Sequence, residues 1–222
     1  MQRPTAMALT YWATLSLIVW AAGRLRAWAG SPSAGLFVLG FLYLVLLWGP
    51  LFLVRFVEGR PLSTLGLTMP HFLRGLFWGG AAFFLANAFG TAEAWYRLVR
   101  LGEMLDSVAP RVPHWGLEIV AQLVWIGLPE EIGFRGYLLT RLQEAWGTPV
   151  ALLLSSLLFG VSHFAMADPL RAITACLMGL IYGWAFLETG SVYPSALAHI
   201  AGNLFGGSII RAVLAFGCLK GI

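Results

Sequence analysis

Long apolar runs alternate with short polar breaks along almost the whole chain. A membrane-spanning helix needs about 20 predominantly apolar residues, and several segments approach or exceed that length. We expect transmembrane helices at residues 7–23, 34–56, 72–90, 115–140, 147–164, 169–188 and 192–217. A Gly-Pro pair at 49–50 would add one more helix if it divides the second segment. The pattern therefore predicts an all-α fold, a polytopic integral membrane helical bundle of about seven to eight transmembrane helices.

The segment at 91–113 departs from this pattern of long apolar runs. Trp95, Leu98 and Val99 fall on one face of a helix, and the charged residues fall elsewhere. This arrangement is typical of an amphipathic helix that lies at the membrane interface with its rings among the headgroups. A solvated loop with some helical content fits the same pattern nearly as well.

Composition supports a membrane protein and excludes some partners. The chain is 59% hydrophobic and 11% charged, whereas soluble domains are about a quarter charged. No hydrophilic stretch is long enough for a separate soluble domain, so we expect residues 1–222 to form a single membrane domain. The 14 basic residues are scattered without a basic run, which makes nucleic acid a poor partner and membrane lipids a good one. We expect the first apolar run to be retained as a helix rather than cleaved as a signal peptide.

Three charges interrupt the fourth apolar segment, in the stretch PEEIGFR. Each charge near the bilayer centre costs about 2.5–3.5 kcal/mol on insertion scales. Glu131 and Arg135 are four residues apart with the acid first, which favours an ion pair on one helical face. Glu130 then points about 100° away without a local partner. Pro129 lacks an N–H and is expected to kink the helix beside this carboxylate.

Two later apolar helices carry polar side chains at helical spacing. Phe159 and His163 are one turn apart in LLFGVSHF, and His199 and Asn203 are one turn apart in ALAHIAGN. Taken singly, each is as easily a hydrogen bond between helices as a catalytic group. Together, a carboxylate and an imidazole can activate a water, and a histidine and an asparagine can stabilise an oxyanion. Two histidines and a glutamate are equally a ligand set for catalytic zinc.

These three pairs resemble the motifs of the CAAX protease and bacteriocin-processing (CPBP) family of intramembrane proteases, which includes type II CAAX prenyl endopeptidases. The motif EExxxR corresponds to residues 130–135, FxxxH to residues 159–163, and HxxxN to residues 199–203. The flanking stretches FRGYLLTRL and ETGSVYPSALAHIAGN are also similar to the family. The resemblance covers residues 115–207, which we expect to be the catalytic core.

The resemblance implies a role for each motif residue. Glu130 and His163 would activate the attacking water, and His199 and Asn203 would hold the oxyanion. Structural support would come from Glu131, Arg135 and Phe159. No cofactor is required by these roles, although zinc would be held by Glu130, His163 and His199 if a metal is present. Gly133 stands where the family more often has a larger apolar residue, which suggests close packing or local flexibility there.

The expected function is that of an intramembrane endopeptidase. Its substrate would be a membrane-associated protein or peptide that is anchored, lipidated, or carries a leader or sorting segment. We expect a bacterial cytoplasmic (inner) membrane and favour protein or peptide processing over prenylated tails. One alternative is a catalytically silent scaffold or an immunity or regulatory protein of the same fold. Another is a small transporter or proton relay, but the chain shows no inverted repeat.

Overall fold

The structure is a computed structural model that describes residues 3–28, 41, 44, 45, 48–109, 114–164 and 169–219. Most of these residues are helical and none of them is in a β-strand, which confirms the all-α prediction. The α-helices are α1 (Arg3–Trp28), α2 (Trp48–Val57), α3 (Phe72–Arg100), α4 (Leu105–Val108), α5 (Trp115–Val124), α6 (Gly127–Glu131), α7 (Thr140–Trp146), α8 (Thr148–Phe164), α9 (Pro169–Thr189) and α10 (Val192–Leu219). The last turn of α2 and the link between α6 and α7 (Ile132–Leu139) are π-helical.

Among the described residues, three helices are long and apolar enough to cross a membrane. They are Phe72–Arg100, Pro169–Thr189 and Val192–Phe216. Two further apolar helices, Trp48–Val57 and Thr148–His163, are shorter. These helices identify an integral membrane protein. The count of seven to eight spans stays a prediction, and most of the predicted span at 34–56 lies outside the described residues.

The predicted bounds agree best with the structure in the last three helices, where turn residues mark the ends. Pro169 is the first residue of α9, a position where its missing N–H costs no intrahelical hydrogen bond. Gly147, with φ of 77°, ends α7, and Gly190, with φ of 64°, follows α9. Both have a positive φ, which glycine adopts without the steric cost that a side chain would add.

The segment at 91–113 is not a separate interfacial helix. Its first ten residues continue α3 to Arg100 without a break, ten residues beyond the predicted end of that span. A hydrogen bond of 2.9 Å from Arg97 Nε to Glu93 Oε1 follows the i,i+4 spacing and supports this last part of α3. Ala94 packs in a small core with Ile210 of α10, which holds the extension against the bundle. Residues 110–113 lie outside the described part of the chain.

The segment that carries the first motif runs through the centre of the bundle. Every residue from 129 to 139 is buried. Around this segment, α8 packs along α9, α3 packs against α9 and α10, and α6 contacts α10. Tyr137, Leu138 and Leu139 contribute to the main hydrophobic core. Side chains of this central segment are therefore shielded from solvent and from lipid.

Candidate active site

The first motif begins at a break in the predicted fourth span. That span divides after Val124, because Trp125 and Ile126 leave the helical conformation and α6 begins at Gly127. The kink predicted at Pro129 is therefore displaced to residues 125–126. The proline instead occupies the first turn of α6, where a helix does not use the missing N–H. Glu130 therefore lies in the first turns of a new helix, α6, and is buried in the bundle.

The ion pair expected from the i,i+4 spacing is present in the core. Arg135 Nη1 donates a hydrogen bond of 2.9 Å to Glu131 Oε1, and the side chains are 3% and 0% exposed. The guanidinium carbon also lies 4.4 Å from the ring centre of Phe159 and 5.4 Å from that of Tyr182. Cation–π contacts of this kind stabilise a desolvated guanidinium. Arg135 is thus held by one carboxylate and two aromatic faces.

His199 joins the same carboxylate from α10. Its Nδ1 lies 3.0 Å from Glu131 Oε1, and its ring stacks on Tyr182 with centres 5.1 Å apart. Since a carboxylate accepts, Nδ1 carries the proton of this hydrogen bond. Glu131 therefore binds both Arg135 and His199, a link between two motifs that spacing along the sequence does not reveal.

Glu130 has no comparable partner. Glu130 is 8% exposed, and its Oε2 is buried without a hydrogen-bond partner among the described residues. His199 Nε2 lies 4.0 Å from Oε2, which is close enough for an ion pair but too far for a hydrogen bond. Both adjacent glutamates keep a buried Oε2 without a hydrogen-bond partner among the described residues, but only Glu131 has its other oxygen bound by two donors.

The aromatic ring of Phe159 lies near the rings of both histidines. Its centre lies 4.5 Å from the ring of His163 and 6.3 Å from the ring of His199. Phe134 packs edge-on against it at 4.8 Å. His163 Nδ1 lies 2.9 Å from the carbonyl oxygen of Phe159, so Nδ1 donates and Nε2 keeps its lone pair when the ring is neutral. Phe159 therefore sets both the position and the tautomer of His163.

Asn203 does not contact the other motif residues through a described hydrogen bond. Its Nδ2 donates to Gln122 Oε1 of α5 at 2.9 Å. Gln122 was missed by the sequence analysis, although a glutamine within an apolar helix is itself a signal of polar pairing. Tyr182, which contacts both Arg135 and His199, was missed as well. A tyrosine in an apolar helix carries little positional signal.

A polar cavity of about 350 Å³ opens beside Asn203 and Tyr182. It lies between α3, α9 and α10, and its far wall carries Glu93, Arg97 and Arg171. Glu93 bridges the two arginines, at 2.9 Å to Arg97 Nε and 3.4 Å to Arg171 Nη1. The cavity therefore extends from the second half of the third motif to a network of charges.

Gly133 shows why a larger residue is absent from its position. A Cβ atom added there would lie 3.2 Å from the hydroxyl oxygen of Tyr11 on α1. This is tighter than ordinary van der Waals contact, so the glycine serves close packing, one of the two explanations predicted from the sequence.

The residues proposed for a metal do not form a ready site. Within the described part of the chain, no group of three or more histidine, cysteine, aspartate or glutamate side chains is arranged to hold a metal ion. Glu130, His163 and His199 therefore do not converge as a ligand set. Because His199 donates Nδ1–H to Glu131, Nε2 is its one ring nitrogen that could bind a metal.

The segment that carries the three motifs is similar to known proteins. Residues 113–205 match the family described as type II CAAX prenyl endopeptidase Rce1-like. The UPF0177 protein YxdF of Lactococcus lactis is 31% identical over 91 residues, which is 41% of this chain and 49% of that protein. The chain thus matches about half the length of this curated relative. No solved structure matches the chain. The resemblance that the three motifs predict is therefore confirmed, since the segment that carries them matches the Rce1-like family of type II CAAX prenyl endopeptidases.

Proposed function

We propose that this protein is an intramembrane endopeptidase in which Glu130 activates the attacking water. The observation that carries the proposal is the contrast between the two adjacent glutamates. Glu131 Oε1 accepts hydrogen bonds from both Arg135 and His199, whereas neither oxygen of Glu130 has a described hydrogen bond and its Oε2 is buried. Burying a carboxylate without a partner is costly. A catalytic base is a physical reason for a protein to retain such a group.

His163 is proposed to assist Glu130 with the water. Its ring packs on Phe159, whose ring also lies 6.3 Å from that of His199, and His199 Nε2 lies 4.0 Å from Glu130 Oε2. With Nδ1 donated to the Phe159 carbonyl, the lone pair on His163 Nε2 can accept one hydrogen of the water. Glu130 takes the proton as the water oxygen bonds to the scissile carbonyl carbon. The same proton then passes to the leaving nitrogen as the C–N bond breaks.

His199 and Asn203 are proposed to stabilise the oxyanion of the tetrahedral intermediate. When His199 is protonated, Nδ1 donates to Glu131 and Nε2 carries a second N–H that can face the oxyanion. Asn203 Nδ2 carries two hydrogens and donates one of them to Gln122, so the other remains for the oxyanion. Removing one such donor typically costs about 10²–10³ in rate. This donor pair supports a water activated without a metal.

The substrate is proposed to be a membrane-associated protein or peptide, anchored, lipidated or bearing a leader or sorting segment. The match to type II CAAX prenyl endopeptidases supports this class. The cavity beside Asn203 offers room for a few residues of an extended chain next to the scissile bond. We propose processing of proteins or peptides at the cytoplasmic membrane of a bacterium.

The test compares membranes from cells that express the wild-type protein with membranes from cells that express Glu130→Gln. New protein termini are mapped in both by mass spectrometry. The matched control is Glu188→Gln, which makes the same chemical change at a carboxylate that is about one-third exposed and pairs with Arg74. Equal amounts of inserted protein are verified for all three.

The expected result is a set of termini in the wild type and the control that is absent with Glu130→Gln. These termini would also identify the substrate. Identical termini in all three membranes would contradict the proposal and favour the silent scaffold. Repeating the wild-type experiment with a zinc chelator tests separately how the water is activated. Loss of the termini on chelation would show that a metal is required and would contradict the metal-free mechanism.

A further inference from the structure

We infer that Gln122 is a positioning residue that orients the amide of Asn203 for catalysis. The inference rests on the proposed function. Gln122 lies in the last turn of α5, outside all three motifs. It accepts a hydrogen bond of 2.9 Å from Asn203 Nδ2. Its side chain therefore reaches from one helix to the functional amide of another.

The position of Gln122 is well determined by its surroundings. The residue is 5% exposed, and a buried amide is costly unless it is hydrogen-bonded. At the start of α6, a Cβ atom added to Gly127 would lie 3.1 Å from Gln122 Oε1 and 2.5 Å from Ile200 Cγ1. The backbone before Glu130 thus closes directly over the oxygen that binds Asn203. Gln122 lies where α5, α6 and α10 meet.

A fixed acceptor matters because the terminal torsion of asparagine is soft. The amide plane has a broad and roughly two-fold preference, so an unrestrained Asn203 can present either Nδ2 or Oδ1 to the cavity. Only Nδ2 donates a hydrogen bond. With one hydrogen committed to Gln122 Oε1, the direction of the other is set by the planar geometry of the group. Gln122 thereby keeps the acceptor Oδ1 away from the developing oxyanion.

The test measures how fast the wild-type-specific termini appear after induction, in membranes that contain each variant. Gln122→Met removes the acceptor at similar side-chain length, and Gln122→Glu keeps an acceptor oxygen in either protonation state. The matched control is Gln143→Met, which makes the same change at a glutamine that binds Thr148 on the exposed side of the protein. Asn203→Ala and the double variant complete a cycle.

We expect Gln122→Met to slow the appearance of termini about tenfold, a fraction of the roughly 10²–10³ loss for a missing donor. Gln122→Glu should recover most of the rate, and Gln143→Met should match the wild type. In the Asn203→Ala background, Gln122→Met should have no further effect, because residues that act through one another are not additive. The melting temperature of each variant is measured in detergent.

Three results would overturn the inference. The first is a wild-type rate for Gln122→Met. The second is the same tenfold loss in the Asn203→Ala background, which would show that Gln122 acts independently of Asn203. The third is a loss that follows melting temperature and is not recovered by Gln122→Glu, which would show a structural role. Failure of the proposed function is distinguishable, because the wild type and Glu130→Gln would then already give identical termini.

Discussion

Two charged clusters that each include residues from the stretch 127–146 use their carboxylates differently. The Glu58–Arg141 cluster contains two acids and two bases, namely Glu58, Arg60, Arg141 and Glu144. The motif cluster contains two acids, one permanent base and one titratable ring, namely Glu130, Glu131, Arg135 and His199. In the first cluster the fixed charges balance. In the second they leave one negative charge in excess unless His199 or Glu130 carries a proton.

The difference separates a closed ion-pair network from the cluster that we propose to be catalytic. Arg141 is fully buried and binds Glu58 through Nε and Nη2, at 2.9 and 2.7 Å from Oε2. A buried charge of this kind is tolerated when every hydrogen-bonding position is filled. Glu130 departs from that rule, since neither of its oxygens has a described hydrogen bond and its Oε2 is buried. The proposed role of Glu130 needs such a carboxylate, which has no hydrogen-bonding donor fixed on it.

The largest effect on stability is expected from Arg141→Met. The change leaves the buried Glu58 carboxylate without its main partner, and breaking a buried pair in this way costs about 3–5 kcal/mol. The free energy of unfolding is measured by detergent titration. Arg60→Met is the matched control, because Arg60 is about one-third exposed and exposed pairs contribute about 1 kcal/mol or less. Equal losses of unfolding free energy for Arg141→Met and Arg60→Met would show that the buried pair is not what stabilises the Glu58–Arg141 cluster.

A smaller loss of stability, together with a loss of activity, is expected from Glu131→Gln. The amide oxygen still accepts from Arg135 and His199, so each bond falls from about 1.5–3 to about 0.5–1.5 kcal/mol rather than being lost. Because His199 loses its charged partner, the termini produced per folded molecule should also fall at least tenfold. If stability falls while that specific activity is unchanged, Glu131 supports the fold alone and does not position His199.

The smallest effect on stability is expected from Glu130→Gln, although it removes the activity. The carboxylate has no described hydrogen bond to lose, and replacing an unpaired buried charge relieves its desolvation. Its free energy of unfolding should therefore equal or exceed that of the wild type. Detergent titration beside Glu131→Gln makes the comparison direct. A loss as large as that of Glu131→Gln would mean that Glu130 is a structural partner like its neighbour.

Much of this arrangement could be predicted from the sequence, because it depends on local spacing. The helices that carry the second and third motifs start within one residue of the predicted positions. The pair of Glu131 and Arg135 follows from four-residue spacing, and the lack of a local partner for Glu130 follows from the angle between adjacent residues. The family of residues 113–205 follows from three motifs in order.

Other features were not predictable because they depend on contacts between distant segments. Apolar periodicity ended α3 at residue 90, yet Glu93 and Ala94 extend it by their contacts with the rest of the bundle. The same periodicity ran through the break at Trp125 and Ile126, since apolar residues lie on both sides of it. The role of Gln122 could not be predicted, because it depends on a hydrogen bond between α5 and α10.

The sequence by itself determined that this protein is helical and apolar, which charges interrupt its central segment, and which residues lie one turn apart on each helix. Helical geometry is local, so these relations hold wherever the helices lie. Only the tertiary structure decided that Glu131 holds His199, that Gln122 holds Asn203, and that Glu130 is left with a buried unpaired oxygen. Such relations arise where separate helices pack together, and the spacing of residues along the sequence does not show which helices are in contact.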